Sequence, residues 1–418
     1  MSISGYNVTA LLNDAVAGNP ASMGFPALRN VGSEGRPVLL KKRDEDRFRA
    51  AESYDRVTPL SAAPSTFNGA GGVQVPWQLN SLQTQVIKRV AVEFNITNST
   101  GSTVYPTATP WWLQRIEIYS GANYIETIYA EQLQVYGLIE NDTTDYYDIS
   151  LVQNQTLAFP LTGYHNAAGI ATGTTASYFI ELPSHSISSA FIWLPACSAP
   201  LRYVAFLNDN SIYTTGTTGL LINNIFLNIE GVRYANDAQY ELQKIHKAAP
   251  MIMKSPRYQR QVITLGLLPA AGSITQTLTG MGNGIANEIV WYIRPTAATG
   301  VNYFESNYQI ASLTSITNQN NEIVAQSLAE NYIRTLLTSD YDGSFRGDYV
   351  YMLPFSLSGK SASENAKDVG GLILNNANIL TLATLAGTGA SQDLIIMARL
   401  KGVFILAVDG SLQYVLLY

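Results

Sequence analysis

The sequence predicts an all-β fold made of two similar domains in tandem. From about residue 73 onward the chain is a succession of short β-type runs separated by turn-rich loops. Two stretches about 200 residues apart, Ile118–Asp142 and Ile316–Asp340, also look like versions of one another. A duplication at this distance is far longer than the period of a solenoid, so it indicates two whole domains of similar fold.

The duplication extends beyond these two stretches. Arg89–Val92 matches Glu288–Trp291 in the character of its residues, and Gly231 aligns with Gly402. These later matches have a shorter offset, so the first copy contains extra residues, which we place in the Gly/Thr-rich loops 161–177 and 208–219. The closest matches within the opening pair are Ile118 with Ile316, Ile125 with Ile323, Asp142 with Asp340, and, after a one-residue slip, Ala130-Glu131 with Ala329-Glu330.

Residues 1–72 are predicted to form an N-terminal arm without a core of its own. Frequent glycine and proline exclude one long regular element there, and two short helices are predicted, Val8–Ala17 and Lys41–Ser53. In the second helix Glu45 and Arg49 are four positions apart and can pair on one face. Such an arm is ordered only where it lies on its own body or on a neighbour.

The first domain is predicted over residues 73–245, and a single helix over Glu126–Glu140 interrupts its strands. Each strand is identified by β-branched and aromatic residues bounded by turn formers. The predicted strands are Val73–Leu79, Val86–Thr97, Trp111–Tyr119, Tyr178–Leu182, Ala190–Leu194, Leu201–Leu207 and Leu221–Tyr234.

A proline-containing linker is predicted over residues 246–257, and the second domain over residues 258–418. Its helix, Ile323–Leu337, occupies the same place as the first. Asp409-Gly410 is a strong hairpin signal near the end of the chain. The predicted strands are Gln261–Leu267, Ser273–Leu278, Glu288–Arg294, Gln309–Ile316, Tyr349–Leu353, Leu372–Leu382, Leu394–Leu400, Val403–Val408 and Leu412–Tyr418.

Each copy therefore has about eight short strands and one inserted helix. Eight antiparallel strands in two facing sheets are the jelly-roll arrangement. We predict two tandem eight-stranded jelly rolls, each with a short inserted helix, behind an N-terminal arm.

The composition favours extensive protein–protein contact. Charged residues make up 13% of the chain, against roughly 25% in ordinary soluble proteins, and 25 tyrosines accompany many uncharged polar residues. The net charge of −6 argues against nucleic acid as the main partner, because phosphate neutralisation needs clustered Lys and Arg, and no direct sequence-specific nucleic-acid binding is expected. The single cysteine, Cys197, is interpreted as a small buried apolar residue in a protein made in a reducing interior. Neither a secretory signal nor a membrane-spanning run is expected.

No catalytic, cofactor-binding or metal-binding residue is predicted, and the protein is not expected to be an enzyme. A cupin-like metalloenzyme needs two or three histidines and a carboxylate at one metal. Here the histidines are isolated and interpreted as surface or linker residues, at His165, His185 and His246.

Four further candidate features receive structural interpretations. Glu131 and Glu330 match in the two copies and are expected to lie on a helix surface or to cap a helix. Trp111-Trp112, a conceivable sugar platform, is expected to be part sheet core and part interface. Gly282-Asn283-Gly284 resembles the start of a dinucleotide loop, but it is expected to be a turn between strands.

The repeated strand–IYSGANYIETIYAEQL–helix element resembles that of double jelly-roll major capsid proteins, which build the shells of tailless icosahedral viruses such as adenoviruses. The resemblance covers about residues 73–418. It implies a homotrimer in which six jelly rolls give a pseudo-hexagonal capsomer that tiles an icosahedral virion shell. The protein is then expected in the capsid shell of the virion, after synthesis in the host cell interior.

The resemblance also implies partners. They are copies of the same chain, neighbouring capsomers, and vertex and minor capsid proteins, with the N-terminal arm beneath the shell near an internal viral membrane. The alternative function is a tandem β-sandwich that binds carbohydrate or acts as an adhesin, because the same aromatic-rich, weakly charged composition suits both.

Overall fold

The computed structural model describes residues 50–62, 64–66, 73–80, 82–101, 112–140, 171–183, 185–208, 220–296, 308–318, 320–333, 349–355 and 370–417. The predicted helix Val8–Ala17, most of the two Gly/Thr-rich loops, His165 and Trp111 lie outside these residues.

The first half of the chain is a sandwich of two four-stranded antiparallel sheets, ordered β1-β8-β3-β6 and β2-β7-β4-β5. Apolar residues at every second position of β3, from Val90 to Ile96, point into the space between the sheets and are buried. The strands are β1 (Ala50–Val57), β2 (Gln74–Gln78), β3 (Val86–Asn98), β4 (Leu113–Ser120), β5 (Asn123–Tyr129), β6 (Thr175–Glu181), β7 (Leu201–Leu207) and β8 (Leu220–Tyr234), with helices α1 (Ala130–Glu140), α2 (Ser186–Ala190) and α3 (Asn236–Ala248).

The second half repeats this sandwich. One sheet has the order β10-β16-β12-β13; in the other, β17 lies between β11 and β9, and β14, β15 and β18 complete six strands. The strands are β9 (Met251–Gly266), β10 (Ser273–Thr277), β11 (Gly284–Pro295), β12 (Ile310–Thr317), β13 (Ile323–Ala329), β14 (Tyr351–Pro354), β15 (Leu372–Leu374), β16 (Ile379–Thr384), β17 (Gln392–Leu406) and β18 (Leu412–Leu416). A helix begins at Glu330, directly after β13.

Strand order makes the two halves equivalent. In sequence order β1 corresponds to β9, β5 to β13 and β8 to β17, with β15 and β18 as additions to the second half. The register agrees, because Ser53 pairs with Gly231 in the first half and Ser255 with Gly402 in the second. Both glycines permit a close approach: a Cβ at Gly231 would lie 2.0 Å from the Val86 carbonyl oxygen, and one at Gly402 would lie 2.1 Å from a tyrosine hydroxyl.

Two predicted helices are partly wrong, because their first residues belong to strands. Residues 126–129 continue β5 and pair with β4, so the helix starts at Ala130. Likewise residues 323–329 form β13 and pair with β12. In both copies the strand is followed at once by the helix, with no turn residue between them.

The N-terminal region and the linker also differ from expectation. Residues 50–53, predicted as the end of a helix, lie in β1, which is hydrogen-bonded along β8. Part of the 1–72 region thus completes the first sheet. The 246–257 region, expected to be a linker, contains the end of α3 and the start of β9. The predicted strand Ala190–Leu194 is wrong, because α2 ends there and a 3-10 turn, Leu194–Ala196, follows.

Candidate assembly interface

The two halves share a buried apolar junction. The paired strands β11 and β17 are buried on both faces of their sheet, which explains why their sequences are almost continuously apolar. One face packs inside the second sandwich, and the other belongs to the same hydrophobic cluster as the core of the first half. The residues on this shared face include Val290, Tyr292, Ile395, Met397, Tyr258 and Phe404.

Strand β5, with helices α1 and α2, brings the first half against β9 of the second. The Tyr136 and Tyr258 rings lie 4.6 Å apart across this contact. Gln132 of α1 donates from Nε2 to the Gln259 carbonyl at 3.1 Å, and Ser255 donates to the Ser186 carbonyl at 2.5 Å. An interface that is large, apolar and hydrogen-bonded favours one fixed arrangement of the two halves.

Glu126 lies at the centre of the junction and is completely buried. Its Oε1 accepts the backbone N–H of Tyr258 at 2.6 Å, while Oε2 accepts the N–H and the hydroxyl of Ser186 at 3.1 and 2.6 Å. Burial raises the pKa of the Glu126 carboxyl, and these hydrogen bonds act in the opposite direction. The side chain thereby ties three separate elements together, β5, α2 and β9.

Glu131, at the start of α1, forms a buried ionic contact with the second half. Its Oε1 lies 2.6 Å from Arg260 Nη2 on β9 and 3.3 Å from Arg294 Nη2 on β11. The helix-surface or capping role expected for Glu131 is therefore wrong. Its repeat counterpart, Glu330, is half-exposed and has the Tyr351 hydroxyl at 3.5 Å.

His185 is buried beside this junction, contrary to the surface position expected for it. Its Nε2 lies 3.0 Å from the Tyr203 hydroxyl, and its Nδ1 lies 3.2 Å from the Pro183 carbonyl. These partners suit a neutral imidazole that donates from Nδ1 and accepts at Nε2. Burial lowers the pKa of His185 to about 4.

The histidine and two neighbouring serines resemble catalytic residue types, but they are sealed inside the fold. Ser188 Oγ lies 3.1 Å from His185 Nδ1, and Ser186 Oγ donates to Glu126. All four side chains are buried, so the cluster has no approach for a substrate. Its hydrogen bonds instead hold α2 against the sheets.

The other residues singled out in the sequence lie in the core, at its edge, in a helix or in a turn. Trp112 is fully buried and meets the Phe94 ring edge-on, in agreement with the core part of its expected role. Cys197 packs at the edge of the core, where burial raises the pKa of its thiol to about 12. His246, expected in a linker, is on α3 and buried, and burial lowers its pKa. Gly282 follows a 3-10 turn with a φ of 72°, as the predicted turn requires.

Among the described residues, no three His, Cys, Asp or Glu side chains come together as a set of metal ligands. None of the helices in the same part of the chain combines the length and the apolar character that crossing a bilayer requires.

Comparisons with known proteins agree with this architecture. No family model matches the chain, and no curated protein matches it in sequence. Among solved structures, the chain is similar to that in the PBCV-1 virus capsid, with 15% identity, a TM-score of 0.65, and 89% of this chain and 98% of that chain covered. The fold is a double jelly roll.

Two further solved structures share the double jelly roll. The Faustovirus major capsid protein is 9% identical, with a TM-score of 0.52, and the alignment covers 95% of this chain and 98% of that one. The mavirus major capsid protein is 13% identical, with a TM-score of 0.50 and coverage of 88% and 90%. The predicted fold class, two tandem jelly rolls with an inserted helix in each, is confirmed.

Proposed function

We propose that this protein is a major capsid protein that assembles as a homotrimer and tiles an icosahedral virion shell as a pseudo-hexagonal capsomer. The observation that carries the proposal is the junction, which fuses two similar jelly rolls side by side through a continuous buried core. A three-fold assembly needs two comparable domains per chain to present six comparable edges. The solved structures to which the fold is similar are described as viral capsids or major capsid proteins.

The surface composition supports the same proposal. With 13% charged residues and 25 tyrosines, the chain offers a wet, weakly charged surface on which neighbouring capsomers can associate reversibly. The histidine, glutamate and serine side chains that sequence patterns associate with catalysis are used inside the fold. We therefore assign the protein a structural role and no catalytic one.

The proposal includes a location and a set of partners. The protein resides in the capsid shell of the virion and contacts copies of itself, neighbouring capsomers, and vertex and minor capsid proteins. The segment before β1 serves as an arm beneath the shell, towards an internal viral membrane. We assign β1 to β8 to the first jelly roll and β9 to β18 to the second, with α3 connecting them in place of a long linker.

Electron microscopy of the purified protein tests the proposal against its alternative. Class averages should show particles with a six-lobed outline and three-fold symmetry. A glycan array screened with the same preparation should give no specific signal. Separate single chains that bind a defined glycan would instead establish the carbohydrate-binding alternative, which none of the similar structures supports.

A further inference from the structure

Arginine and tyrosine side chains form a continuous row that crosses from the first half to the second. Arg202 of β7 lies over the Tyr119 ring of β4, with its Cζ 4.7 Å from the ring centroid. The Tyr119 ring meets the Tyr124 ring of β5 edge-on, with 5.9 Å between the centroids. Arg257 of β9 has its Cζ 5.3 Å from the Tyr124 centroid and 5.8 Å from that of Tyr414 on β18. We call these five residues the Arg/Tyr row.

The two arginines of the row differ from most other described arginines in having no acidic partner. Those that form an ion pair with a glutamate are Arg56, Arg89, Arg115, Arg260, Arg294 and Arg399. By contrast, neither Arg202 nor Arg257 forms an ion pair or a hydrogen bond within the part of the chain that the structure describes, and the Nε atom of each is buried without an acceptor. Guanidinium groups that lose hydration without gaining acceptors retain donors for an incoming anionic group.

The carboxylates near the row are already used by other donors. Glu117 accepts Arg115 Nε at 2.8 Å and the Tyr119 hydroxyl at 2.5 Å. The oxygens of Glu126 accept the three buried hydrogen bonds described above. The charge of Arg257 lowers the pKa of Glu126 without an ion pair between them. The Arg/Tyr row is therefore locally cationic in a chain with a net charge of −6.

The row lies at the end of the first sandwich where the chain enters β1. It occupies the start of β7, the end of β4 and the start of β5. The end of β2 pairs with the start of β7, and the short connection after β2 leads to the start of β3, which pairs with the end of β8. The end of β8 in turn pairs with the start of β1. In the proposed capsid this end faces the interior of the shell, because the segment before β1 lies beneath it.

We propose that the Arg/Tyr row binds an acidic peptide segment of a partner protein, whose carboxylates pair with Arg202 and Arg257 across the tyrosine rings. Arginine binds a carboxylate through two parallel N–H···O bonds, and arginine and tyrosine are enriched where binding energy is concentrated. The ring distances set an upper limit of about 16 Å between the two guanidinium groups, which an extended peptide covers in about five residues. The identity of the partner as a minor capsid protein rests on the proposed function.

The charge pattern favours an acidic peptide over a nucleic acid or a lipid surface. Phosphate backbones and anionic membranes are bound by clusters of several lysines and arginines. The row offers two arginines, set apart by tyrosine rings and flanked by the Glu117 carboxylate. A short segment with carboxylates a few residues apart matches this spacing.

Fluorescence anisotropy of a labelled hexaglutamate peptide with the full-length protein tests the site. The wild type should bind hexaglutamate and should not bind hexaglutamine. Arg202→Gln together with Arg257→Gln should raise the dissociation constant at least about tenfold, because both carboxylate partners are lost. Arg233→Gln is the matched control, since Arg233 is exposed and also has no acidic partner among the described residues, but lies outside the row. It should bind as the wild type does.

Circular dichroism and the thermal unfolding midpoint verify that the variants are folded. If the glutamine double variant does not fold, Arg202→Lys with Arg257→Lys keeps the charges but not the paired geometry, and should bind hexaglutamate more weakly than the wild type. A wild type that does not bind hexaglutamate, or variants that bind it equally well, would overturn the inference. Tighter binding of an oligothymidylate or of phosphatidylserine vesicles, dependent on the same arginines, would overturn it too.

Light scattering of the same preparation separates this inference from the proposed function. A trimer that does not bind hexaglutamate would overturn the inference and leave the proposed function standing. A chain that binds the peptide through Arg202 and Arg257 but stays monomeric would support the site and overturn the proposed function.

Discussion

Buried polar side chains make the junction specific at the level of single residues. Glu126 has three hydrogen-bond donors around its two oxygens, and His185 has a donor and an acceptor suited to its neutral form. Each of these groups costs free energy when it is buried, and its partners offset that cost only in the native geometry. The two side chains therefore favour one arrangement of β5, α2 and β9 over others.

The buried imidazole predicts an acid-sensitive fold. Its pKa falls from 6.5 to about 4 on folding, so the unfolded chain binds the proton first as the pH decreases. The contribution of His185 to the free energy of unfolding is complete above pH 6.5 and is lost as the pH falls towards 4. The loss amounts to up to about 3 kcal/mol for a shift of this size.

Urea unfolding of the wild type and of His185→Gln at a series of pH values measures this effect. The glutamine does not titrate, so the difference in unfolding free energy between the two proteins should shrink as the pH falls from 7 towards 4. Parallel pH dependences would show that His185 is already charged, or solvated, in the folded protein.

At the scale of elements, each half contains the same unit of strand, strand and helix, β4-β5-α1 in the first half and β12-β13 with the helix at Glu330 in the second. The register of β5 against β4 and of β13 against β12 differs by one residue, which is the slip seen between Ala130-Glu131 and Ala329-Glu330. The same unit is covered in one half and open in the other. Its exposure, rather than its order of elements, differs between the two copies.

The Glu131 ionic contact predicts unequal effects of one mutation made at equivalent positions. Glu131→Ala leaves Arg294, which is almost fully buried, without this carboxylate, and should lower the free energy of unfolding by about 3–5 kcal/mol. Glu330→Ala should cost less than about 1 kcal/mol, because that carboxylate is half-exposed. Urea unfolding of the two variants, at protein concentrations too low for self-association, compares their losses of unfolding free energy. Equal losses would contradict the assigned role of Glu131.

Much of the strand pattern is predictable from the sequence, because a strand is marked by the local alternation of apolar and polar residues. Strand β7 has the predicted bounds, Leu201–Leu207, and β3 differs from its prediction by one residue at its end. The inserted helices are predicted to start at Glu126 and Ile323, but β5 and β13 occupy those positions and the helices begin only after them. Pairing with β4 decides the conformation of residues 126–129, and pairing partners are not local information.

The polar cluster around Glu126 cannot be predicted from the sequence, for a related reason. Glu126 meets Ser186 and Tyr258 at separations of 60 and 132 positions. A sequence pattern carries no sign that these three residues converge. The sequence of β1, AAESYDRV, contains good helix formers and does not by itself predict a strand; the hydrogen bonds to β8 make it one. Its match to β9 could have been found from Ser53 and Ser255 once Gly231 and Gly402 had been aligned.

At the scale of the whole molecule, the duplication places two similar domains in one chain. In the proposed capsomer, the two jelly rolls joined by the buried junction act as one tile. Heterologous contacts between copies of a chain close into a ring when the rotation between neighbours divides the circle evenly. With two equivalent domains in each chain, three copies give six domains around the axis.

The sedimentation velocity of the wild-type protein over a wide range of concentrations tests this account most directly. The account predicts a single closed species with the mass of three chains, in reversible equilibrium with the monomer on dilution. A protein that remains monomeric at every concentration, or that grows without limit into open chains, would contradict it.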